Sequence, residues 1–198
     1  MFLGYVIGAT PFGFLAGKMK GIDIREFGSG NIGATNVLRT LGKPVGITVL
    51  VFDILKGIVP VMISMLLSDH TEVHIATAIA TIIGHNFTFW LKFKGGKGIA
   101  TTSGTMLPII PIPLAVATIT WIILVKTTRY VSLGSIAAAL VIPITAFLQA
   151  LISGTWNWPI LIFSLVLCFL AVWRHRSNIK RLINGEEARF DKKAERIE

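Results

Sequence analysis

This chain is poor in cysteine and in charge. Its lone thiol, Cys168, lies inside the apolar run Leu161 to Trp173, so neither a disulfide framework nor a cysteine metal cluster can be assembled, and inert packing is expected. Charged side chains make up only 15% of the 198 residues and are gathered into a few short stretches, which excludes a soluble helical protein laced with surface ion pairs. Ten acidic residues against nineteen Lys and Arg leave a net charge of +9. The cations flank apolar runs, where they read as topology signals, so nucleic acid is not an expected partner. No basic residue precedes Lys18, and the first apolar stretch runs straight into charged sequence, so it reads as a retained span and not a signal peptide. Internal repeats and low-complexity linkers are also missing, and a single domain over residues 1–198 is expected.

What the chain has in quantity is apolar sequence. At 53% hydrophobic residues and a mean hydropathy of +0.72, it carries more apolar surface than one soluble core of this size could bury. Five runs stand out: 2–16, 45–67, 75–91, 131–152 and 156–173. Most approach the roughly 20 helical residues needed to cross about 30 Å of hydrocarbon. A sixth region, 106–125, opens with Pro108, Pro111 and Pro113, which remove backbone donors and disfavour a continuous helix.

Sorting the polar connections by charge predicts the topology. Residues 17–44 carry Lys18, Lys20, Arg25, Arg39 and Lys43; Lys92, Lys94 and Lys97 follow, then Lys126 and Arg129, and then eight Lys or Arg from Arg174 onward. These stretches are expected inside. Residues 68–74 and 153–157 lack Lys and Arg and are expected outside, with Trp156 and Trp158 at the outer interface. Lys97 and Lys126 then share a side, so residues 104–125 should enter and return as two shorter helices broken near Pro111 and Pro113. The expected fold is an all-α integral membrane protein of about seven transmembrane helices, N-terminus outside and C-terminus cytoplasmic.

Three inward stretches carry chemistry. In the first, Gly28-Ser29-Gly30-Asn31-Ile32-Gly33-Ala34-Thr35-Asn36 leads to Arg39, a pattern in which glycines admit backbone N–H groups to an anion and a following helix adds partial positive charge. The alternative is a flexible connector with a helix cap. In the second, Gly84-His85-Asn86-Phe87 precedes Gly95-Gly96-Lys97-Gly98 and a run of hydroxyls. This lacks the GxxxxGK[ST] spacing, which disfavours nucleotide hydrolysis, yet it suits a phosphate monoester or acyl phosphate; otherwise Lys97 is a snorkelling anchor. In the third, His175 and Asn178 stand three apart, able to share a helix face, among cations that also suit headgroup contacts. Asp53 and Lys56, three apart within a span, read as an intramembrane ion pair.

The catalytic patterns that are missing narrow the class. None of His70, His74, His85 and His175 has Asp five positions later, no GxSxG elbow occurs, and the His70/His74 pair lacks a third ligand, so no metal site is expected. A carboxylate-rich metal motif of the kind a CDP-alcohol phosphotransferase needs is not found either. A transporter or channel for an anionic metabolite remains the competing class, since broken helices and cationic loops also serve anion pathways.

Taken in order, GSGNIGATNVLR, then GHNF with FKGGKGIAT, then HRSNIKRLINGEE closely resemble the three motifs of the bacterial acyl-phosphate:glycerol-3-phosphate acyltransferase family. The resemblance implies transfer of a fatty acyl group from a long-chain acyl phosphate to the sn-1 hydroxyl of glycerol 3-phosphate, giving lysophosphatidic acid and phosphate for phospholipid synthesis. It also implies a multi-pass protein of the bacterial cytoplasmic (inner) membrane, among membrane lipids, with its active site facing the cytoplasm and no cofactor. On that footing Ser29, Arg39, Lys97, His175 and Asn178 form the catalytic set. Gly30, Asn31, Thr35, Asn36, Gly95, Gly96, Gly98, Ser132 and Ser135 line the substrate, and Glu187, Arg181, Asp53 and Lys56 are structural. Either His175 or the acceptor's own phosphate takes the hydroxyl proton.

Reporter tags inserted at residues 126–130 should be cytoplasmic; an external signal from that loop would overturn the predicted return of residues 104–125.

Overall fold

The computed structural model describes residues 1–197, and among them it contains ten α-helices, two short 3-10 turns and no strand beyond an isolated antiparallel bridge between Phe27 and Arg196. The chain divides into two compact units. One is Met1–Thr105 with the tail from Phe190; the other is Met106–Arg189. No shift in composition marks the boundary. The expected domain of residues 1–198 extends to Glu198, which lies outside the described residues.

In the first unit the apolar run 2–16, expected as one span, is two helices, α1 (Phe2–Gly8) and α2 (Phe12–Met19). Pro11 stands at the N-cap of α2, where its missing N–H and fixed φ break the ladder. Breaking a helix among apolar neighbours exposes backbone carbonyls that need partners. Two side chains supply them: Thr88 Oγ1 donates to the Ala9 carbonyl at 2.5 Å and Lys56 Nζ to the Thr10 carbonyl at 2.7 Å.

Lys56 lies on α4 (Lys43–Leu67), one turn from Asp53, and its Nζ is 2.7 Å from Asp53 Oδ1 with both side chains 2% exposed. The ion pair therefore spends its cation on the gap between α1 and α2, and Lys56 also stands over the Phe12 ring, 5.4 Å from its centroid. The other helices of this unit are α3 (Ala34–Leu41), α5 (Thr71–Asn86) and the opening of α6 (Ile99–Ile109).

Close packing here depends on small residues. Gly4 and Gly8 of α1 meet Thr77 and Thr81 of α5, and Gly84 of α5 backs onto Tyr5 and Ala9. Thr77 and Thr81 donate their hydroxyls to carbonyls one turn back, so both hydroxyls are satisfied where the helices meet. Gly57 of α4 likewise faces the Thr101 carbonyl and Gly104 Cα of α6. Backbones this close leave no room for a Cβ.

The second unit holds α7 (Pro111–Thr128), α8 (Val131–Ser153), α9 (Trp158–Arg174) and α10 (Arg176–Ile183). Helix α7 packs along α8, with Gly134 against Trp121 and Val125, and α8 in turn contacts α9 and α10. The Asn157 side chain caps α9 by accepting from the Ile160 N–H, and Trp156 and Trp158 stack there at 5.9 Å. The proline-rich break falls at Ile110, between α6 and α7. Helix α7 runs 18 residues and reaches spanning length alone, where the sequence predicts a short returning half.

By length and composition three helices among the described residues can cross a membrane, α4, α7 and α8, or up to four if α9 and α10, bent by 56°, make one span. The remaining apolar runs are shorter helices, with α5 at 16 residues and α9 at 17. Large side chains such as Ile119, Ile144, Ile162 and Phe169 stand more than half exposed on these helices, a surface that lipid solvates and water does not.

Gly57→Leu should lower stability by about 1–3 kcal/mol or prevent folding, because its side chain must displace α6 backbone. Gly21→Asn, at an open left-handed position, should change it by less than about 0.5 kcal/mol. Thermal unfolding in detergent measures both.

Candidate functional site

The first glycine-rich stretch is organised around Asn36. This residue sits in the first turn of α3 with 2% of its surface exposed. Its Oδ1 accepts from the Ser29 N–H at 3.0 Å, while Nδ2 donates to the carbonyls of Ile24 (3.2 Å) and Phe27 (3.0 Å). Gly28 and Gly30 have φ of +57° and +66°, and a Cβ at Gly28 would lie 2.8 Å from Ala194 Cβ. Glycine is required there by conformation and by space.

Three backbone donors of this loop are engaged within the chain. The Gly28 N–H donates to the Glu195 carbonyl at 2.8 Å, the Ser29 N–H to Asn36, and the Gly30 N–H to the Phe27 carbonyl at 3.0 Å. The sequence suggests that N–H groups of this stretch cradle an anion; these three hold the loop to its own scaffold. The groups that the loop presents are side chains: the exposed Ser29 hydroxyl, then Asn31, Thr35 and Arg39, all partly exposed. Upstream, Arg25 beside Asp23 holds that carboxyl down at about 2 and so fixes the turn that enters the loop.

The second stretch is a turn folded over the end of α5. Gly95 N–H donates to the Asn86 carbonyl at 3.1 Å and Gly96 N–H to the His85 carbonyl at 3.2 Å. The Asn86 amide, 1% exposed, is placed to donate to the carbonyls of Gly96 and Lys97 at 3.3 Å each. A Cβ on Gly95 would collide with the His85 carbonyl, and one on Gly96 with the His85 ring. Gly98, at φ +81°, hands the chain to α6, whose first bond runs from the Thr102 N–H to the Gly98 carbonyl at 2.7 Å. Lys97 is therefore displayed, partly exposed, immediately before a helix N-terminus, where the helix dipole adds to its positive charge.

Beneath that turn, His85 Nδ1 stands 3.2 Å from Thr101 Oγ1 and 3.9 Å from Asp53 Oδ1. Asp53, paired with Lys56, thus lies beside His85 under the second stretch. The sequence places His85 and Asn86 in this stretch without giving either a role; the structure puts both directly under the turn. Their signal is an imidazole and an amide ending an otherwise apolar helix.

In the second unit the residues of the third stretch gather on Glu187. Asn178 Nδ2 donates to Glu187 Oε1 at 2.6 Å and Arg181 Nε to Oε2 at 2.7 Å. Burial pushes the Glu187 carboxyl up, but the Ser132 hydroxyl, the Asn178 amide and the Arg181 guanidinium together outweigh it and hold the group below its usual value. His175 is 3% exposed, and its Nδ1 lies 2.8 Å from the Ala171 carbonyl. A carbonyl only accepts, so Nδ1 carries the hydrogen and Nε2 is the accepting nitrogen of the neutral ring. Ser135 donates to the Val131 carbonyl and accepts from Trp121 Nε1 at 3.3 Å, so its hydroxyl is committed to the α7–α8 contact. No group of three or more His, Cys, Asp or Glu side chains able to hold a metal occurs among the described residues.

A family model described as glycerol-3-phosphate acyltransferase matches residues 1–185. The chain is 47% identical over 190 residues to the glycerol-3-phosphate acyltransferase of Desulforamulus reducens, covering 96% of this chain and 92% of that protein. It is 44% identical to glycerol-3-phosphate acyltransferase 2 of Thermotoga maritima, covering 96% and 94%. Two crystal structures of PlsY (YgiH), an integral membrane glycerol 3-phosphate acyltransferase, also match. The glycerol 3-phosphate form gives a TM-score of 0.86 at 37% identity and the lysophosphatidic acid form 0.83 at 38%, each over 94% of this chain and 91% of that one.

Because the folded state lowers the Glu187 pKa, its stabilisation is fully present above the ordinary glutamate range and is lost as pH falls through the lowered value. Thermal midpoints in detergent should therefore drop between about pH 5 and 3. Glu187→Gln should lower the neutral-pH midpoint and flatten that acid slope.

Proposed function

The chain belongs to the glycerol-3-phosphate acyltransferase family, and we propose that it transfers a fatty acyl group from acyl phosphate to the sn-1 hydroxyl of glycerol 3-phosphate, giving lysophosphatidic acid and inorganic phosphate. The observation that carries this reading is the likeness to an integral membrane acyltransferase whose structures are a glycerol 3-phosphate form and a lysophosphatidic acid form.

An acyl phosphate is a mixed anhydride and already activated. The acceptor oxygen forms a bond to the acyl carbon, the bond from that carbon to the phosphate oxygen breaks, and the electron pair leaves with phosphate. No enzyme nucleophile or cofactor is needed; positioning and charge neutralisation carry the barrier. Both substrates are phosphates, which suits the exposed Ser29 hydroxyl, Asn31, Thr35 and Arg39 on one glycine-rich stretch and Lys97 on the other. Asn36, with Gly28 and Gly30, keeps the first stretch in shape; His85 and Asn86, with Gly95, Gly96 and Gly98, do the same for the second.

His175 Nε2 is the accepting nitrogen of a buried imidazole and suits the proton of the acceptor hydroxyl. The acceptor's own phosphate is the other candidate base. Asn178, held through its Nδ2 by Glu187, would orient the acceptor. The apolar helices would hold the acyl chain in a bacterial cytoplasmic membrane. About seven crossings, an external N-terminus and a cytoplasmic C-terminus would open the chemistry to the side where glycerol 3-phosphate arrives, and the chain would act as a single acyltransferase.

Purified protein in detergent should make lysophosphatidic acid from labelled glycerol 3-phosphate with palmitoyl phosphate and not with palmitoyl-CoA or palmitoyl-acyl carrier protein. Arg39→Ala and Lys97→Ala should each cut turnover by about 100-fold or more. Product from a thioester donor alone would overturn the donor assignment, and no product from any donor would favour an anion transporter.

A further inference from the structure

The tail from Phe190 is not covered by the family match, which ends at residue 185, yet it belongs to the first compact unit and lies along the first glycine-rich loop. Its contacts are mainly backbone. The Gly28 N–H donates to the Glu195 carbonyl and the Ile197 N–H to the Glu26 carbonyl, both at 2.8 Å, and between them Phe27 pairs with Arg196 as an antiparallel bridge. The Ala194 N–H donates to the Arg39 carbonyl at 3.3 Å, in the last turn of α3, where carbonyls lack helical partners. Arg196 Nη2 stands 2.9 Å from Glu26 Oε2, and Ile197 Cδ1 would meet a Cβ at Gly30 at 3.6 Å.

We propose that residues 190–197 are a positioning strap that holds the Gly28-Ser29-Gly30 loop and Arg39 in the arrangement that binds the phosphate of glycerol 3-phosphate. A loop with two left-handed glycines has many alternative conformations, and ordering it costs entropy that would otherwise fall on substrate binding. The strap grips this loop at its entrance (Glu26), at its first glycine (Gly28) and at the helix turn carrying the guanidinium (Arg39). Ser29, whose own N–H is held by Asn36, is thereby fixed from both sides while its hydroxyl stays exposed. Such a strap favours binding by preorganisation. It touches no reacting atom, so it should act on acceptor affinity and leave the chemical step alone.

The proposal rests on the acyltransferase reading, and kinetics separate the two. The full chain is assayed first in detergent with palmitoyl phosphate and glycerol 3-phosphate; absence of lysophosphatidic acid there would defeat the acyltransferase reading itself. With an active full chain, a stop codon after Arg189 should raise the KM for glycerol 3-phosphate about tenfold, with kcat and the KM for palmitoyl phosphate within about twofold. In case the shortened chain does not fold, point variants carry the test. Glu26→Arg should raise the same KM about twofold to threefold, and Arg196→Glu in the same chain should restore it; the effect is small because the pair is exposed. Ala194→Pro, which removes the donor to Arg39, should raise that KM without lowering kcat. An unchanged KM in the shortened chain, or in all three point variants, would overturn the strap. So would a lower KM, which would make the tail an occluding plug.

Discussion

Lys56 Nζ lies 2.7 Å from Asp53 Oδ1 and donates at 2.7 Å to the carbonyl of Thr10, so one buried cation joins a long apolar helix to the break between two short ones. Neither charge could stand alone among lipid-facing helices, where an unpaired ion is costly and an unmatched carbonyl nearly as unwelcome. Once paired, they stabilise two irregular features. The break at Pro11 is possible because Lys56 and Thr88 take up its carbonyls, and the second glycine turn rests on His85, whose Nδ1 faces both Thr101 and Asp53. Non-helical backbone is tolerated in such a protein where other groups satisfy it, and at the Pro11 break the side chains of Lys56 and Thr88 do so.

That economy shapes the chemistry available to the glycines. A loop intended to wrap an anion with its amides would need those amides vacant. In the first stretch the N–H groups of Gly28, Ser29 and Gly30 are spent on Glu195, Asn36 and Phe27, and in the second those of Gly95 and Gly96 are spent on Asn86 and His85. The glycines at these positions serve close approach and left-handed turns, and the turns display Arg39, Lys97 and hydroxyl and amide side chains. Fixed cations at preset positions suit substrates that carry phosphate.

The third stretch follows the same rule in a different unit. Glu187 is matched by Asn178 and Arg181, and matching it fixes where both side chains sit. His175, one turn earlier, is held in a single tautomer by the carbonyl of Ala171. A guanidinium and an amide are each set by contact with one carboxylate.

The sequence by itself determined the class of this protein. Apolar runs that no soluble core could bury require lipid-facing helices, and three glycine-rich or cationic stretches in fixed order identify an acyltransferase that works on phosphates. Pro108, Pro111 and Pro113 announced a break that falls at Ile110, and the spacing of Asp53 and Lys56 announced their pairing, because local geometry decides both. Tertiary structure alone decided what each polar group would do. Nothing local tells Asn36 to bind Ile24, Phe27 and Ser29, places His85 under Gly96, commits the Ser135 hydroxyl to Val131 and Trp121, or lays residues 194–197 along a loop more than 150 positions earlier. In a medium without water every buried donor must find an acceptor wherever the fold brings one near. That assignment depends on which backbones meet, and glycines such as Gly8, Gly57 and Gly84 control the meeting only through neighbours far away in the chain.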